Sequence, residues 1–305
     1  MARVVCMSSA EDVSGAVDMS SAEDMSSAED MSGTAGAGDH PLVRVSPVGP
    51  AERPDLVRQA VMSHPAQRNA LGGPMLDELQ RALADAESAG CRALIIRAEP
   101  GVSTWSAGYD IDALPLDGSD PLTWTNPLEG FLHAVRAAPF PVIAAVEGGV
   151  WGGACELVFT CDLVIAVRTS TFAITPARLG VPYNTSGVAH FLAALPLNIA
   201  KEMFFTADPI GAEAAAGYGV VNRLVADSTE LTTLSVDLGL RIASRAPLAI
   251  RAIKGEMAAL TDARSLSSDD FERLTELRRA AWSSDDYQEG VRAFKEKRSP
   301  RFTGR

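Results

Sequence analysis

Short apolar runs alternate with helix-like periods through the middle of the chain. The runs predicted as strands are LVRQAVMS (56–63), CRALIIRA (91–98), FPVIAAVEG (140–148) and CDLVIAV (161–167). Residues 72–90 and 152–160 instead have the pattern of helices. Strands that alternate with helices are typical of an α/β fold with a largely parallel sheet.

The helix predicted over 72–90 is the clearest of these elements. Pro74 stands at its start, where a missing amide hydrogen is no loss, and Gly90 follows its end. Three leucines lie along one helical face, namely Leu76, Leu79 and Leu83. The segment is therefore predicted as an amphipathic helix.

The pattern becomes entirely helical from about Glu230. Two stretches there begin with Ser followed three residues later by Asp, the signature of a capping box. The pairs are Ser267 with Asp270, and Ser283 with Asp286. Paired helices of this length cannot bury their apolar stripes alone, so we predict a helical subdomain that packs on the core or on a neighbouring subunit.

The first forty residues have a different composition from the rest. From Met7 onward, six-residue units rich in Ser, Ala and acid recur, as in MSSAED. Such units bury too little apolar surface to offset the entropy of ordering, which predicts disorder. The predicted organisation is an acidic repeat tail over 1–40, a core over 41–240 and a helical C-terminal subdomain over 241–305.

Composition disfavours several classes of protein. Apolar residues make up 47% of the 305 residues, enough to fill a substantial core. The tail supplies much of the net charge of −12, so the overall acidity says little about the folded part. Nucleic-acid binding is disfavoured, because the sequence has no basic stripe with interleaved aromatics. The sequence has neither the basic start and apolar run of a signal peptide nor a stretch of about twenty apolar residues. We therefore expect a cytoplasmic protein with no membrane partner.

The four cysteines give no indication of a metal site. Cys6, Cys91, Cys155 and Cys161 form no CxxC pair and have no His at ligand spacing. Three of them lie in or beside apolar runs, which is typical of reduced, buried thiols. No metal is expected.

Two Gly-containing turns at strand–helix junctions are the first candidates for chemistry. They are WSAGYDI (105–111) and EGGVWGGACEL (147–157). Glycines just before a helix leave amide hydrogens unpaired at the positive end of the helix dipole. A lone pair of glycines would indicate only a tight turn, but two such turns with these neighbours predict a site for an anion or a developing oxyanion.

These motifs resemble those of the crotonase (enoyl-CoA hydratase/isomerase) superfamily. The matching stretches are RNAL (68–71), SAGYDI (106–111), VEGGVWGGACELVFTCDLVIA (146–166) and FAITPARLGV (172–181). Within that superfamily, LGVPYN (179–184) and DYQEG (286–290) are similar to the methylmalonyl-CoA decarboxylases. The resemblance implies a spiral of ββα units followed by C-terminal helices that mediate trimer formation, often as a dimer of trimers.

The resemblance also implies two backbone amides that bind the oxygen of an acyl-CoA thioester. They belong to Tyr109 and Gly153. The rest of the first turn is assigned to substrate binding, namely Ala107, Gly108, Asp110 and Ile111. Because backbone groups make the contact, the Tyr109 side chain need not abolish the function, although its bulk would narrow the acyl pocket. Asp110 has a second interpretation, as a cap that accepts hydrogen bonds from loop amides.

Hydratases of the superfamily use two carboxylates, one for water and one that delivers a proton to carbon. By the resemblance the first is Glu156. The second would follow Pro176, where this chain has Ala177. Loss of one acid/base group costs about 10²–10⁴ in rate, so hydration is disfavoured. Glu156 is either catalytic, for example by ordering water that protonates an enolate, or a buried acid that braces the oxyanion turn.

Decarboxylation of a malonyl-type thioester needs fewer groups. The electrons left by departing CO₂ flow into the thioester carbonyl, and the two amides can hold the resulting enolate without a base. A neutral hydroxyl can direct the substrate carboxylate without the strong ground-state stabilisation that Lys or Arg would give. By the resemblance, Tyr183 and Thr175 are the candidates. The alternatives are a packing ring for Tyr183 and a strand-end hydroxyl for Thr175.

The phosphates of CoA need cations. The resemblance implies Lys297 for this role, from the C-terminal helix of its own or a neighbouring subunit, with Arg68 as a weaker candidate. A solvated helix face is the alternative interpretation of Lys297. The scattered histidines are predicted to be structural, namely His64, His133 and His190.

The resemblance therefore implies an enzyme that decarboxylates a short malonyl-type acyl-CoA, with conversion of methylmalonyl-CoA to propionyl-CoA as the expected reaction. No cofactor is expected besides the CoA of the substrate, and the expected assembly is a homotrimer or a dimer of trimers. Two alternatives remain at this point. One is an enoyl-CoA hydratase or isomerase that uses Glu156 alone, and the other is a non-catalytic acyl-CoA-binding scaffold in which the repeat recruits a partner.

Overall fold

The computed structural model describes residues 40–114, 126–262 and 268–303, and these belong to one compact unit. Predictions for the repeat tail, Cys6 and the Ser267 cap lie outside the described residues. The division of the chain after residue 240 stays a prediction.

The described residues form ten strands and ten α-helices. The strands are β1 (Val43–Pro47), β2 (Val57–Met62), β3 (Ala93–Ala98), β4 (Thr104–Ser106), β5 (Val142–Val146), β6 (Gly149–Trp151), β7 (Leu163–Val167), β8 (Thr171–Ala173), β9 (Ile210–Gly211) and β10 (Arg223–Val225). The helices are α1 (Gly73–Ser88), α2 (Pro127–Ala137), α3 (Gly153–Thr160), α4 (Thr185–Ala194), α5 (Leu197–Thr206), α6 (Ala212–Gly217), α7 (Ser228–Ala243), α8 (Pro247–Asp262), α9 (Ser268–Trp282) and α10 (Asp285–Lys295).

The strands build two sheets. The larger has the order β1-β2-β3-β5-β7-β10 and is parallel except for the β1–β2 pair. The smaller has the order β4-β6-β8-β9 and is parallel except for the β8–β9 pair. Three times in succession the chain adds one strand to the large sheet and the next to the small one. This repetition is the ββα spiral expected from the resemblance, so the predicted fold is confirmed.

The central strands are buried on both faces. All six residues of β3 and all five of β5 are buried, as the continuous apolar runs indicate for a covered parallel sheet. One face packs on a core that includes buried residues of α1, α2 and α3. The other face packs on α7 through residues that include Ile95, Ile143, Ile165 and Leu231. The central strands are therefore held by packing on both of their faces.

The predicted elements are largely confirmed. Helix α1 begins at Gly73, buries Leu76, Leu79 and Leu83, and is followed by Gly90 at a φ of +71°. The last strand ends at Val225, after which the described residues contain helices only. Burial raises the pKa of the thiols of the three described cysteines, Cys91, Cys155 and Cys161, as expected for inert core residues.

The predicted cap of the last helix is wrong by one residue. Ser284 is the N-cap of α10, and its Oγ accepts from the amide of Tyr287 at 3.1 Å. Ser283 instead donates its hydroxyl to the carbonyl of Arg279 at 2.8 Å. Helix α9 continues to Trp282, and Ser283 still bonds to its final turn. The N-cap of α10 therefore lies one residue later than the Ser–Asp spacing predicts.

No helix among the described residues is long and apolar enough to cross a membrane.

One lysine of helix α8 forms hydrogen bonds and an ion pair with the core. The Nζ of Lys254 donates to the carbonyls of Val135 (2.9 Å) and Phe140 (3.0 Å) and pairs with Asp162 Oδ2 at 2.7 Å. Its side chain is only 10% exposed. Lys254 thereby satisfies carbonyls near the end of α2 that the helix itself leaves unpaired.

We predict that Lys254→Met lowers the free energy of unfolding by about 1–3 kcal/mol, because it leaves partly buried acceptors without a donor. Urea unfolding followed by circular dichroism measures this change. Lys201→Met, at an exposed position of α5, is the matched control and should change the value little. Equal stability of both variants would contradict the role of Lys254.

Candidate active site

The first Gly-containing turn forms hydrogen bonds with a buried asparagine, Asn69. Asn69 is 3% exposed and has a φ of +52°. Its Nδ2 donates to the carbonyl of Trp105 at 3.0 Å, and its own carbonyl accepts from the hydroxyl of Ser106 at 2.7 Å. The amide of Leu71 donates to the carbonyl of Gly108 at 2.7 Å. The RNAL segment therefore fixes the path of the turn that carries Tyr109.

The second turn places an amide at the start of α3. Gly152 has φ and ψ of 53° and −121°, a conformation that favours glycine, and it is the N-cap of α3. Its amide donates to the carbonyl of Ala173 at 2.8 Å, which ties the turn to β8. The amide of Gly153 comes next, in the first turn of the helix, where the dipole favours negative charge.

The two turns meet at Gly108. This residue has a φ of +87°, and a Cβ on it would overlap the carbonyl oxygen of Trp151 and lie 3.2 Å from the amide nitrogen of Gly153. A Cβ on Gly153 would in turn lie 3.5 Å from the amide nitrogen of Tyr109. Glycine is needed here because the two backbones approach too closely for any side chain.

The amides of Tyr109 and Gly153 are available to a ligand. Within the described part of the chain, neither of them donates a hydrogen bond to another group. Both residues line one cavity of about 70 Å³. Two unpaired amides beside a small cavity are the arrangement of an oxyanion hole.

The cavity brings most of the predicted site residues together. Those that line it are Ala107, Tyr109, Ile111, Gly153, Glu156, Thr175 and Tyr183. The remaining lining residues were not predicted from the sequence: Leu114, Asn126, Leu128, Glu129, Gly152, Pro176, Leu179, Val181 and Asn184. Most of these are apolar, so the cavity has an apolar wall around a few polar groups, as is usual for a small-molecule site.

A chain of four polar side chains begins at the cavity. The hydroxyl of Tyr183 donates to Glu156 Oε2 at 2.6 Å, and Glu156 Oε1 lies 2.9 Å from His190 Nδ1. His190 Nε2 lies 3.0 Å from a guanidinium nitrogen of Arg136. Glu156 itself is only 2% exposed. Its carboxylate is therefore held by donors on both oxygens, as a buried charge requires.

The position of Tyr183 is also set by packing. Its ring makes edge contacts with Phe191 and Phe204, at centroid distances of 5.8 Å and 5.4 Å. A Cβ on Gly187 would overlap this ring. Burial, and next the negative charge of Glu156, raise the pKa of Tyr183 well above its ordinary value. The phenol therefore keeps its proton across the neutral range.

A second carboxylate, Glu129, lines the same cavity. The Nδ2 of Asn184 donates to Glu129 Oε2 at 3.0 Å, while its Oδ1 caps α4 through the amide of Gly187 at 2.7 Å. Neighbouring residues, Tyr183 and Asn184, thus each hold one glutamate of the cavity. Sequence reasoning missed Glu129, because its segment carries no motif and only the fold brings α2 against this turn.

His190 was predicted to be structural, and its contact with Glu156 was missed as well. The two residues lie 34 positions apart, a spacing that gives no signal in the sequence. Of the other histidines, His133 is exposed on α2, and the carbonyl of His64 accepts from the amide of Asn69 at 3.0 Å in the RNAL turn.

The other candidates lie outside the cavity lining. Asp110 accepts from the amide of Asp112 at 3.0 Å, which agrees with its interpretation as a cap. Arg68 and Lys297 are exposed, each at a left-handed φ, and their role toward CoA stays a prediction. Position 177 is an exposed Ala that does not line the cavity, so it supplies no carboxylate to the site.

The C-terminal helix supports the wall of the cavity. A Cβ on Gly290 of α10 would overlap the carbonyl of Leu179, which lines the cavity. Tyr287 belongs to a buried cluster that packs against two further lining residues, Leu114 and Val181. The DYQEG and LGVPYN segments are therefore parts of one packing contact.

Among the described residues, no group of three or more His, Cys, Asp or Glu side chains is placed to hold a metal ion.

Comparison with known proteins agrees with this architecture. A profile of the enoyl-CoA hydratase/isomerase family matches residues 52–305. This chain therefore belongs to the enoyl-CoA hydratase/isomerase family.

Individual relatives narrow the comparison. The methylmalonyl-CoA decarboxylase of Escherichia coli (strain K12) is 44% identical over 236 residues, which cover 77% of this chain and 90% of that protein. The human mitochondrial enoyl-CoA hydratase domain-containing protein 3 is 33% identical over 259 residues, which cover 82% of each chain.

Solved structures give the same result. A methylmalonyl-CoA decarboxylase in complex with 2-nitronate-propionyl-CoA has a TM-score of 0.83 at 40% identity, covering 87% of this chain and 99% of that one. A methylmalonyl-CoA decarboxylase complexed with 2S-carboxypropyl-CoA has the same TM-score and identity, covering 88% and 100%.

We predict that Gly108→Ala separates the two turns and lowers the rate of any reaction that uses both amides by about 10²–10³, the usual loss for one oxyanion donor. Turnover of a CoA thioester measures the effect. Gly255→Ala is the matched control, because it lies on exposed helix α8 with open space around it. Full activity of Gly108→Ala would show that the close approach is not required.

Proposed function

We propose that this protein is a carbon–carbon lyase that decarboxylates a short malonyl-type acyl-CoA, converting methylmalonyl-CoA to propionyl-CoA. One observation carries the proposal: the free amides of Tyr109 and Gly153 share a small cavity with the neutral hydroxyl of Tyr183. The names of the E. coli relative and of the structures bound to 2-nitronate-propionyl-CoA and 2S-carboxypropyl-CoA support the same substrate class.

The two amides act on the thioester oxygen. As the C–C bond to the carboxylate breaks, its electron pair moves into the carbonyl and negative charge grows on that oxygen. Amides that are already oriented stabilise this charge without rearranging, so their effect is larger in the transition state than in the ground state. No other cofactor is needed for this step.

The hydroxyl of Tyr183 directs the departing carboxylate. For the bond to break readily, the carboxylate must stand perpendicular to the thioester plane, so that the released electrons overlap with the carbonyl. A single neutral donor can fix that direction. Of the described residues that line the cavity, none is Lys or Arg, so the carboxylate is not strongly stabilised before it leaves.

The size of the cavity favours a short acyl group. Its volume is about 70 Å³, and Tyr109 forms part of the wall. Thr175 lies beside the second turn, with its Oγ1 3.1 Å from the position of a Cβ on Gly152. Thr175 can therefore contact the substrate from the side of Gly153.

A trimer is part of the proposal. Large apolar side chains of α8 and α9 are exposed in the single chain, namely Leu248, Ile253, Met257, Leu260 and Leu277. An association that covers them would remove apolar area from water. Lys297 would then contact the CoA phosphates of its own or a neighbouring subunit.

We predict that Tyr183→Phe lowers the rate of CO₂ release at least about tenfold and leaves CoA-ester affinity nearly unchanged, since a hydrogen bond to a charged group contributes roughly 1.5–3 kcal/mol. CO₂ release from methylmalonyl-CoA, malonyl-CoA and ethylmalonyl-CoA measures both rate and preference. The control is Tyr218→Phe, at a solvent-exposed tyrosine. Unchanged turnover in Tyr183→Phe would remove this residue from the mechanism.

A second candidate is hydration of an enoyl-CoA, and Glu129 is the observation that favours it. With Glu156 it gives the cavity two carboxylates, the number that hydration uses, although neither comes from position 177. Two crystal structures with enoyl-CoA hydratase names have the same fold, with TM-scores of 0.70 and 0.71 at 29% identity.

The two functions are separated by their substrates. We predict CO₂ release from methylmalonyl-CoA and no loss of the conjugated-thioester absorbance of crotonyl-CoA. If crotonyl-CoA is consumed instead, Glu129→Gln should lower that rate by about 10²–10⁴, the usual effect of one acid/base group. Crotonyl-CoA consumption without decarboxylation would replace the proposed function by hydration.

A further inference from the structure

The hydrogen atoms around Glu156 can be assigned one by one. Arg136 has donors only, so His190 Nε2 accepts from it and the ring hydrogen lies on Nδ1. That hydrogen is donated to Glu156 Oε1, and the single hydroxyl hydrogen of Tyr183 is donated to Oε2. In the substrate-free protein Glu156 is therefore an ionised acceptor, and Tyr183 has no hydrogen left to donate.

This arrangement conflicts with substrate binding. The proposed function, on which this inference rests, requires Tyr183 to donate its hydrogen to the carboxylate of the substrate. The hydroxyl cannot serve Glu156 and the substrate at once. A bound carboxylate would also be the third negative charge in a cavity that already contains Glu156 and Glu129, and like charges at close range disfavour full ionisation.

We infer that binding of the substrate carboxylate adds one proton to Glu156, and that this proton replaces the one that Tyr183 gives to the product. Protonated Glu156 donates to the oxygen of Tyr183, which frees the Tyr183 hydrogen for the substrate. His190 keeps its hydrogen bond to the other oxygen of Glu156, so it is a positioning residue that holds the carboxyl in place.

The reaction then balances within this group of residues. The C–C bond breaks, CO₂ leaves, and the electron pair forms the enolate. Tyr183 transfers its hydroxyl proton to the α-carbon as the enolate collapses to the thioester, and Glu156 transfers its proton to the Tyr183 oxygen. Glu156 returns to the ionised state, and the proton consumed in each turnover is the one taken up with the substrate.

The surroundings of Glu156 determine the direction of the pH dependence. Tyr183 before α4 and His190 on α4 hydrogen-bond to Glu156, and Arg136 on α2 contacts the far side of the His190 ring. Glu129 on α2 and the Cys155 thiol on α3 act electrostatically on Tyr183. Because binding requires a proton, affinity for a carboxylated ligand falls as pH rises. The fall is at most about tenfold per pH unit, the limit for uptake of one proton by an ionised Glu156.

The test is a measurement of proton uptake by the full chain. Binding of 2S-carboxypropyl-CoA, which has a carboxylate but no thioester carbonyl, and of propionyl-CoA, which has no carboxylate, is followed by calorimetry in buffers of different ionisation enthalpy. The contribution of the CoA phosphates cancels between the two ligands. We expect one more proton to be taken up with 2S-carboxypropyl-CoA than with propionyl-CoA.

Three substitutions identify the group that takes up the proton. Glu156→Gln should bind 2S-carboxypropyl-CoA without the additional proton, because the Gln amide donates to Tyr183 permanently, and its decarboxylation rate should fall about 10²-fold or more. Glu129→Gln should keep the proton uptake. Glu202→Gln, at an exposed position of α5, is the matched control and should behave as the unmodified protein.

The outcomes separate this inference from the function on which it rests. CO₂ release without proton uptake would overturn the inference and leave the decarboxylase intact. Loss of uptake in Glu129→Gln together with its persistence in Glu156→Gln would also overturn it. If neither CO₂ release nor binding of 2S-carboxypropyl-CoA is observed, the proposed function fails and the inference fails with it.

Discussion

The close approach of two backbone turns at Gly108 is the constraint on which the site depends. One turn is held by Asn69 and the other by the carbonyl of Ala173, so each is fixed by a different part of the spiral. Their amides converge only because no side chain separates them. The hydrogen bonds that hold each turn keep the two amides oriented before any substrate arrives.

The Tyr183 hydroxyl, in the same cavity as the amides, depends on a second set of contacts. Gly187 leaves room for the ring of Tyr183, and Glu156 accepts its hydrogen. Glu156 is itself held through His190, so helices α2, α3 and α4 all contribute to the direction of one phenol. In the substrate-free protein the hydroxyl hydrogen of Tyr183 is donated to Glu156. It becomes a donor for the substrate carboxylate only if Glu156 releases it.

Much of this could be predicted from the sequence. The alternation of apolar runs located β2, β3, β5 and β7, and the Gly-containing turns predicted a site for an anion, because strand burial and turn geometry are local properties of the chain. The amides of Tyr109 and Gly153 were assigned to that site by the resemblance. Tyr183 and Thr175 were reached through the resemblance. The capping signal of the last helix was misplaced by one residue, since two adjacent serines fit the pattern and only the end of α9 distinguishes Ser284 from Ser283.

The sequence by itself determined the fold class, the two Gly-containing turns and the absence of a carboxylate at position 177. Only the tertiary structure showed Glu129 in the cavity, His190 on Glu156 and the packing of Gly290 against Leu179. The physical reason is the range of the interactions. Turns and strands are specified by neighbouring residues, whereas hydrogen bonds between side chains far apart in the chain depend on how the helices pack around the spiral.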